Sequence, residues 1–217
     1  MIGYDRCSID GCCEIIGIAG NIGAGKSVVS RILRCNGFIV YDCDKEASDI
    51  MNYDEKLRLH LIEILGQECY TDKGNVNKRY VSSQIFNDEE IRNKVNAVVH
   101  EAVRNDFMRI ASKNNEKVFV ESAIMASSGL DKLCRQIWVV EASETTRLKR
   151  VMLRNNLSEK EVMSRMETQR GELSKLPEDK VVIIENDDNS IMLRQVLKLA
   201  FGKVEAMCFE IPLQDGI

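Results

Sequence analysis

The chain is short of the residues that interrupt folding or gather metals. Its 217 residues include two prolines and two histidines, and no Ser/Gly/Pro-rich linker divides it. Disorder is therefore expected at most near the two ends. Eight cysteines are present without a C-x-x-C pair. With so few histidines, a structural zinc site has little to work with. No apolar run approaches the ~20 residues of a membrane-spanning helix. The first such run, Ile15 to Ala19, also lacks the basic, cleavable layout of a signal peptide. A cytoplasmic protein with reduced thiols and no membrane partner is expected. The early cluster Cys7, Cys12 and Cys13 is read as buried or neutral thiols rather than a redox centre. Net charge is −4, with basic and acidic residues interleaved. Without a basic stripe, a nucleic-acid partner is not expected. The switch motifs D-x-x-G and [NT]-K-x-D are missing too, which sets GTPases aside.

What is present is a core-forming chain, 44% hydrophobic, of a length that suits one domain or one domain with a mobile insertion. Short apolar runs alternate with stretches of helical period. Strands are predicted at Ile15–Ala19, Phe38–Tyr41, Val118–Val120, Ile137–Val140 and Val181–Ile184. Helices are predicted at Val28–Cys35, at Lys45–Leu65 with a break near Asn52 to Asp54, at Lys78–Phe86, and along a long segment spanning Ile91 to Phe107. Further helices are predicted at Thr145–Arg154, Glu159–Gln169 and Ser190–Ala200. This alternation implies an α/β fold with a parallel five-stranded sheet between helical layers. Ligands of such sheets sit beyond the carboxyl ends of the strands.

Immediately after the first strand comes Gly20-Asn21-Ile22-Gly23-Ala24-Gly25-Lys26-Ser27, a G-x-x-x-x-G-K-[ST] phosphate loop followed by Val28 and a helix. The chemistry needs this composition. Backbone N–H groups must converge on phosphate oxygens, so side chains must be absent and unusual dihedrals allowed. The helix start adds a positive dipole. Lys26 is expected to reach the β/γ-phosphates of ATP, and Ser27 to offer a hydroxyl to Mg²⁺. After the second strand, Asp42 and Asp44 are candidates to orient an acceptor hydroxyl, the other capping the next helix. Arg147, Arg150, Arg154 and Arg165 are candidate cations for the transferring phosphoryl group. Arg150 and Arg154 share a helix face and suit a closing lid.

Taken together, these residues resemble the dephospho-CoA kinase family over about Ile15 to Ala200. The resemblance rests on the phosphate loop, Val40-Tyr41-Asp42-Cys43-Asp44, Gly74-Asn75-Val76-Asn77-Lys78 with Ile85-Phe86 and Val95 to His100, Leu148-Lys149-Arg150 with Arg154, and Gln169 followed by Glu178 to Ile183 and Asn186. It implies a P-loop NTPase three-layer sandwich carrying a helical acceptor-binding insertion and a lid. The core would be residues 13–50 and 117–202 with a lid at about 150–180, the insertion 51–116, and residues 1–12 and 203–217 terminal extensions.

The implied reaction is transfer of the ATP γ-phosphate to the ribose 3′-hydroxyl of dephospho-CoA. The implied catalytic residues are Asp44, Lys26 and Arg150. Nucleotide contacts would come from residues 20–28, Arg154 and Asn186, and acceptor contacts from Asp44, Lys78, His100 and Arg150. His100 would either touch the acceptor or order the insertion. The sequence departs from the family pattern at Ala19, Lys78, Glu101, Ala123 and Ser127, the last standing where the family pattern has a glutamate. A P-loop kinase for another small acceptor, a nucleoside or nucleoside monophosphate, is the alternative reading, and a nucleotide-gated binding protein without transfer activity a more distant one.

Overall fold

A computed structural model describes residues 13–187 and 190–202. The terminal extensions 1–12 and 203–217, with Cys7, Cys12 and Cys208, lie outside the described residues. Strands β1 (Ile15–Ala19), β2 (Ile39–Asp42), β3 (Val118–Glu121), β4 (Gln136–Glu141) and β5 (Val181–Glu185) form one sheet in the order β2-β3-β1-β4-β5. All pairs are parallel, and Ile18 of β1 lies level with Glu121 of β3. The parallel sheet follows from the near-continuous apolar strands, which both faces must cover.

Each face has its own core. On one face, Ile16, Ile18, Phe119, Trp138, Val140 and Ile184 pack against helix α1 (Lys26–Cys35). The C-terminal helix of the described chain covers the same face through Met192, Val196 and Ala200. Phe38, Phe119 and Trp138 meet there at ring distances of 5.3 and 5.1 Å, an arrangement worth about 0.5–1.5 kcal/mol per pair beyond burial. On the other face, Val118, Val120, Ile137 and Val139 pack against Val103, Phe107 and Ala111.

Those three belong to a 23-residue helix that runs from the sheet into a second cluster. Helices α2 (Cys43–Tyr53), α3 (Glu55–Leu65), α4 (Lys78–Asn87) and α5 (Glu89–Ala111) follow β2 in turn. Leu57, Leu61, Leu65, Tyr70, Val81 and Val95 make their shared core. At 1.5 Å per residue α5 is about 34 Å long, so its last turns lie on the sheet while its first turns hold the helical insertion. The expected boundary at residue 51 falls inside α2, which also runs through the junction. The helical break falls at Asp54, which ends α2 and caps α3 by accepting from the Leu57 N–H at 2.8 Å.

After β4 come α6 (Glu144–Asn155) and α7 (Glu159–Thr168), joined at Asn156 in a left-handed conformation; α7 starts on a Ser158/Glu161 capping box. Helix α8 (Met192–Phe201) follows β5. Among the described residues no helix is long and apolar enough to cross a membrane. The five described cysteines Cys13, Cys35, Cys43, Cys69 and Cys134 are free thiols.

Candidate functional site

The phosphate loop turns from the end of β1 into α1, and two of its glycines have geometric reasons. Gly23 has φ +80°, and a Cβ there would lie 2.7 Å from the Arg147 carbonyl oxygen. Gly25 has φ +109°, and its Cβ would lie 2.2 Å from Nδ2 of Asn186. Left-handed Gly25 forms the N-terminal boundary of α1, so the helix begins at Lys26 rather than at Val28, the first residue of the predicted segment. Lys26 and Ser27 thus stand in the first turn, where free N–H groups point outward. Ser27 and Val28 are exposed.

Lys26 donates to the Gly20 carbonyl at 2.7 Å. Burial pushes its ammonium below lysine's usual value; the nearby Glu121, Asp44 and Asp42 oppose that, and the charge of Arg154 adds to it. Four charged side chains from four further elements therefore act on one lysine. Asp42, at the end of β2, caps α2 by accepting from the Lys45 N–H at 3.2 Å. Asp44 sits in the first turn of α2. Its neighbours divide as the sequence reading allowed, one aspartate capping and the other turned to a cavity. Glu121 accepts from the fully buried Ser30 hydroxyl at 2.6 Å. Burial raises its carboxyl above the usual value, with Asp42 adding and Ser30, Lys26 and Arg34 opposing.

Two cavities bear on this site, one against the phosphate loop and one reached by Asp44. The larger, about 520 Å³, lies between the phosphate loop, the carboxyl ends of β4 and β5, and α6, and is lined by Asn21, Ala24, Ser143, Arg147 and Asp187 among others. Asp187 accepts from the Ser143 N–H at 3.0 Å and from its hydroxyl at 2.9 Å, which holds its carboxyl below the usual range. The smaller, about 310 Å³, lies inside the helical insertion. Its walls are mainly apolar, with Met51, Val81, Ile85 and Val99, and Asp44 and Lys78 supply charge at its edge. Lys78 donates to the Ser48 hydroxyl at 2.9 Å.

The other expected residues are spread around these cavities. Arg154 is exposed near the end of α6, bonded to Asn155 at 2.9 Å, and its charge is felt at Lys26. Arg150, one turn earlier, acts on Asp187 instead. His100 is half-buried on α5 and does not line the insertion cavity. Burial and Arg104 push its imidazole below the usual value, against the pull of Glu172. Asn186 gives its carboxamide to the Ala24 carbonyl at 2.7 Å, bracing the loop from the β5 side. Among the described residues no group of three or more His, Cys, Asp and Glu could hold a metal. The exposed Ser27 hydroxyl and the carboxylates gathered near Lys26 fit an ion that keeps its waters and shares substrate phosphates.

Two further groups bear on the site: Arg147, read from the sequence only as one of four candidate cations, and Gln169, read only as part of the family resemblance. Gln169, at the end of α7, accepts from the Ile22 N–H of the phosphate loop at 2.7 Å. Arg147 lines the larger cavity, one turn before the Arg150/Arg154 pair. Arg147 was legible as a cation on the right helix. Gln169 is 147 residues from its partner, a pairing no local pattern announces.

Comparison with known proteins bears on this site. The family profile described as dephospho-CoA kinase matches residues 14–191. A Porphyromonas gingivalis dephospho-CoA kinase is 34% identical over 187 residues, covering 85% of this chain and 91% of its own. A Staphylococcus aureus dephospho-CoA kinase is 33% identical over 160 residues, covering 72% and 77%. The crystal structure of TT1252 from Thermus thermophilus superposes with a TM-score of 0.74 at 29% identity, over 90% of this chain and all of that one. A Campylobacter jejuni dephospho-CoA kinase shares the fold with a TM-score of 0.58 at 23% identity, covering 86% and 96%.

Proposed function

The chain belongs to the dephospho-CoA kinase family, and we propose that it transfers the γ-phosphate of ATP to the ribose 3′-hydroxyl of dephospho-CoA, giving coenzyme A. The observation that carries this reading is the placement of Asp44. It lines the insertion cavity and its charge reaches Lys26 in the phosphate loop. A group so placed can hold an acceptor hydroxyl beside a γ-phosphate.

The larger cavity is assigned to the nucleotide. Its volume falls within the usual range for a small-molecule site, and it adjoins the phosphate loop, Arg147 and Asn186's loop. Residues 20–28 hold the phosphates through backbone N–H groups, and Lys26 adds its charge. Asn186 supports the loop from behind. Ser27 would hold Mg²⁺, with the nearby carboxylates acting directly or through water, and the ion would supply neutralising charge to the substrate phosphates. The mainly apolar insertion, residues 51–116, takes the acceptor, with Lys78 at the cavity edge and His100 on α5 behind it. Asp44 accepts the proton of the acceptor hydroxyl, or its hydrogen bond, as the oxygen approaches phosphorus in line. Arg150 and Arg154 lie in the α6–α7 hairpin, assigned as the lid at about 150–180. Its closure would exclude water, without which ATP would be hydrolysed.

A coupled ADP-release assay with ATP, Mg²⁺ and dephospho-CoA tests the reading. AMP, pantetheine, adenosine and no acceptor serve as controls. ADP formed with dephospho-CoA alone, with coenzyme A identified by mass, is the expected result. ADP formed with a different acceptor would move the substrate while leaving the phosphate chemistry in place.

A further inference from the structure

One short turn touches both halves of the site. It begins at Gln169, which closes α7, and ends at Glu172, whose N–H returns to the Gln169 carbonyl at 3.2 Å. Gln169 reaches backward to the phosphate loop, taking the Ile22 N–H at 2.7 Å. Glu172 reaches forward. It is 6% exposed, and its two carboxylate oxygens accept from the Ser127 N–H at 2.8 Å and the Ser127 hydroxyl at 2.5 Å.

Ser127 lies in the loop between β3 and β4, and the next residue ties that loop to the insertion helix. Arg104 of α5 donates to the Ser128 carbonyl at 2.6 Å. His100, one turn earlier on α5, feels both Arg104 and Glu172. A buried carboxylate is costly unless its lone pairs are met, and here both oxygens are. Lys175 adds a loose contact at 3.9 Å. Ser127 stands where the resemblance implies a glutamate, and Glu172 brings a carboxylate to Ser127 from a different segment.

We propose that Gln169 and Glu172 are positioning residues that act as one tie, joining the phosphate loop to the 122–129 loop and the His100–Arg104 face of α5. Through it, nucleotide seated on the phosphate loop orders the acceptor side. The inference rests on the reading of residues 20–28 as the nucleotide site. The physical basis is connectivity: both hydrogen-bonded ends sit within four residues, so a shift of the turn moves both. By linkage, whatever nucleotide does to the acceptor side, acceptor does in return.

The test is hydrogen exchange with a non-hydrolysable ATP analogue, which needs no acceptor. In the wild-type chain the analogue is expected to slow exchange across residues 122–129 by about threefold or more, besides protecting the phosphate loop. In Gln169→Leu and in Glu172→Ala that distant protection is lost while protection of residues 20–28 remains. Glu172→Gln keeps the shape and both possible contacts to Ser127 but removes the charge facing His100 and Arg104. It is expected to fold normally and to raise the acceptor KM about tenfold, with the ATP KM changed less than about twofold. Protection of 122–129 that never appears in the wild type, or that persists in both tie-breaking variants, overturns the proposal. So does an unchanged acceptor KM in Glu172→Gln. Wild-type turnover of dephospho-CoA is read separately, so a failed reaction and a failed tie are told apart.

Discussion

Burying Lys26 sets folding against phosphate chemistry. Its ammonium loses water on folding, and the surrounding carboxylates return only part of that loss, so its folded pKa lies below 10.5. A depressed lysine favours the unfolded chain fully at pH below its folded value, and the penalty fades as pH rises toward 10.5. Lys26→Met is therefore expected to stabilise the nucleotide-free protein by about 1 kcal/mol near neutral pH, or about 2–4 °C in Tm for a chain of this size. The gap from wild type should close in alkaline melts, and turnover should fall steeply. A Tm gain that does not shrink with rising pH would assign the effect to packing instead. Asp44 carries no comparable folding role, since Asp42 provides the cap of α2. Asp44→Asn is expected to keep ATP affinity within about twofold and to lower kcat by about 10²–10⁴. Calorimetry with an ATP analogue and the ADP-release assay read the two quantities.

The elements around the site differ in how well the sequence announced them. The phosphate loop, the strands and the arginine-bearing helix α6 have strong local signatures, and each lies within two residues of its predicted place. Helix starts shifted where a cap decided them. Gly25 in a left-handed conformation and Asp42 as a cap each moved a helix start two residues earlier, to Lys26 and Cys43. Residues that join elements were silent, because their partners are distant in sequence. Asn186 was expected among the nucleotide contacts, and its carboxamide braces Ala24, 162 residues away. That brace makes Gly25 intolerant of a side chain. Gly25→Ala would place a methyl group 2.2 Å from the Asn186 amide at a φ of +109°. It is expected to weaken ATP binding by at least about tenfold and to cost about 1–3 kcal/mol in denaturant melts. Gly37→Ala offers the contrast: its φ is also positive, but nothing lies within 4 Å, so nucleotide affinity should not change.

Among the described residues there are three apolar clusters, and two of them are joined through α2 and α5. The insertion has its own core, linked to the sheet mainly through α2 and α5. Leu61→Ala should remove about 2–5 kcal/mol of local packing while leaving the sheet's cores intact. A raised acceptor KM with unchanged ATP affinity is expected; equal losses for both substrates would mean the two parts fold as one. The sheet's parallel order and its two covered faces were legible from the alternation of apolar runs. The division of labour between cores was not, because it depends on where α5 changes partners, its Val95 packing in the insertion and its Phe107 against the sheet.

Trp138 lies on β4 with 0% of its surface exposed, packed against Phe119 and bonded through its indole N–H to Gln136 at 2.8 Å. It is the chain's one tryptophan. Its emission should therefore be blue in the native state and shift red only when the sheet opens, giving the protein a built-in optical gauge of its nucleotide core that is deaf to movements of the hairpin and the insertion.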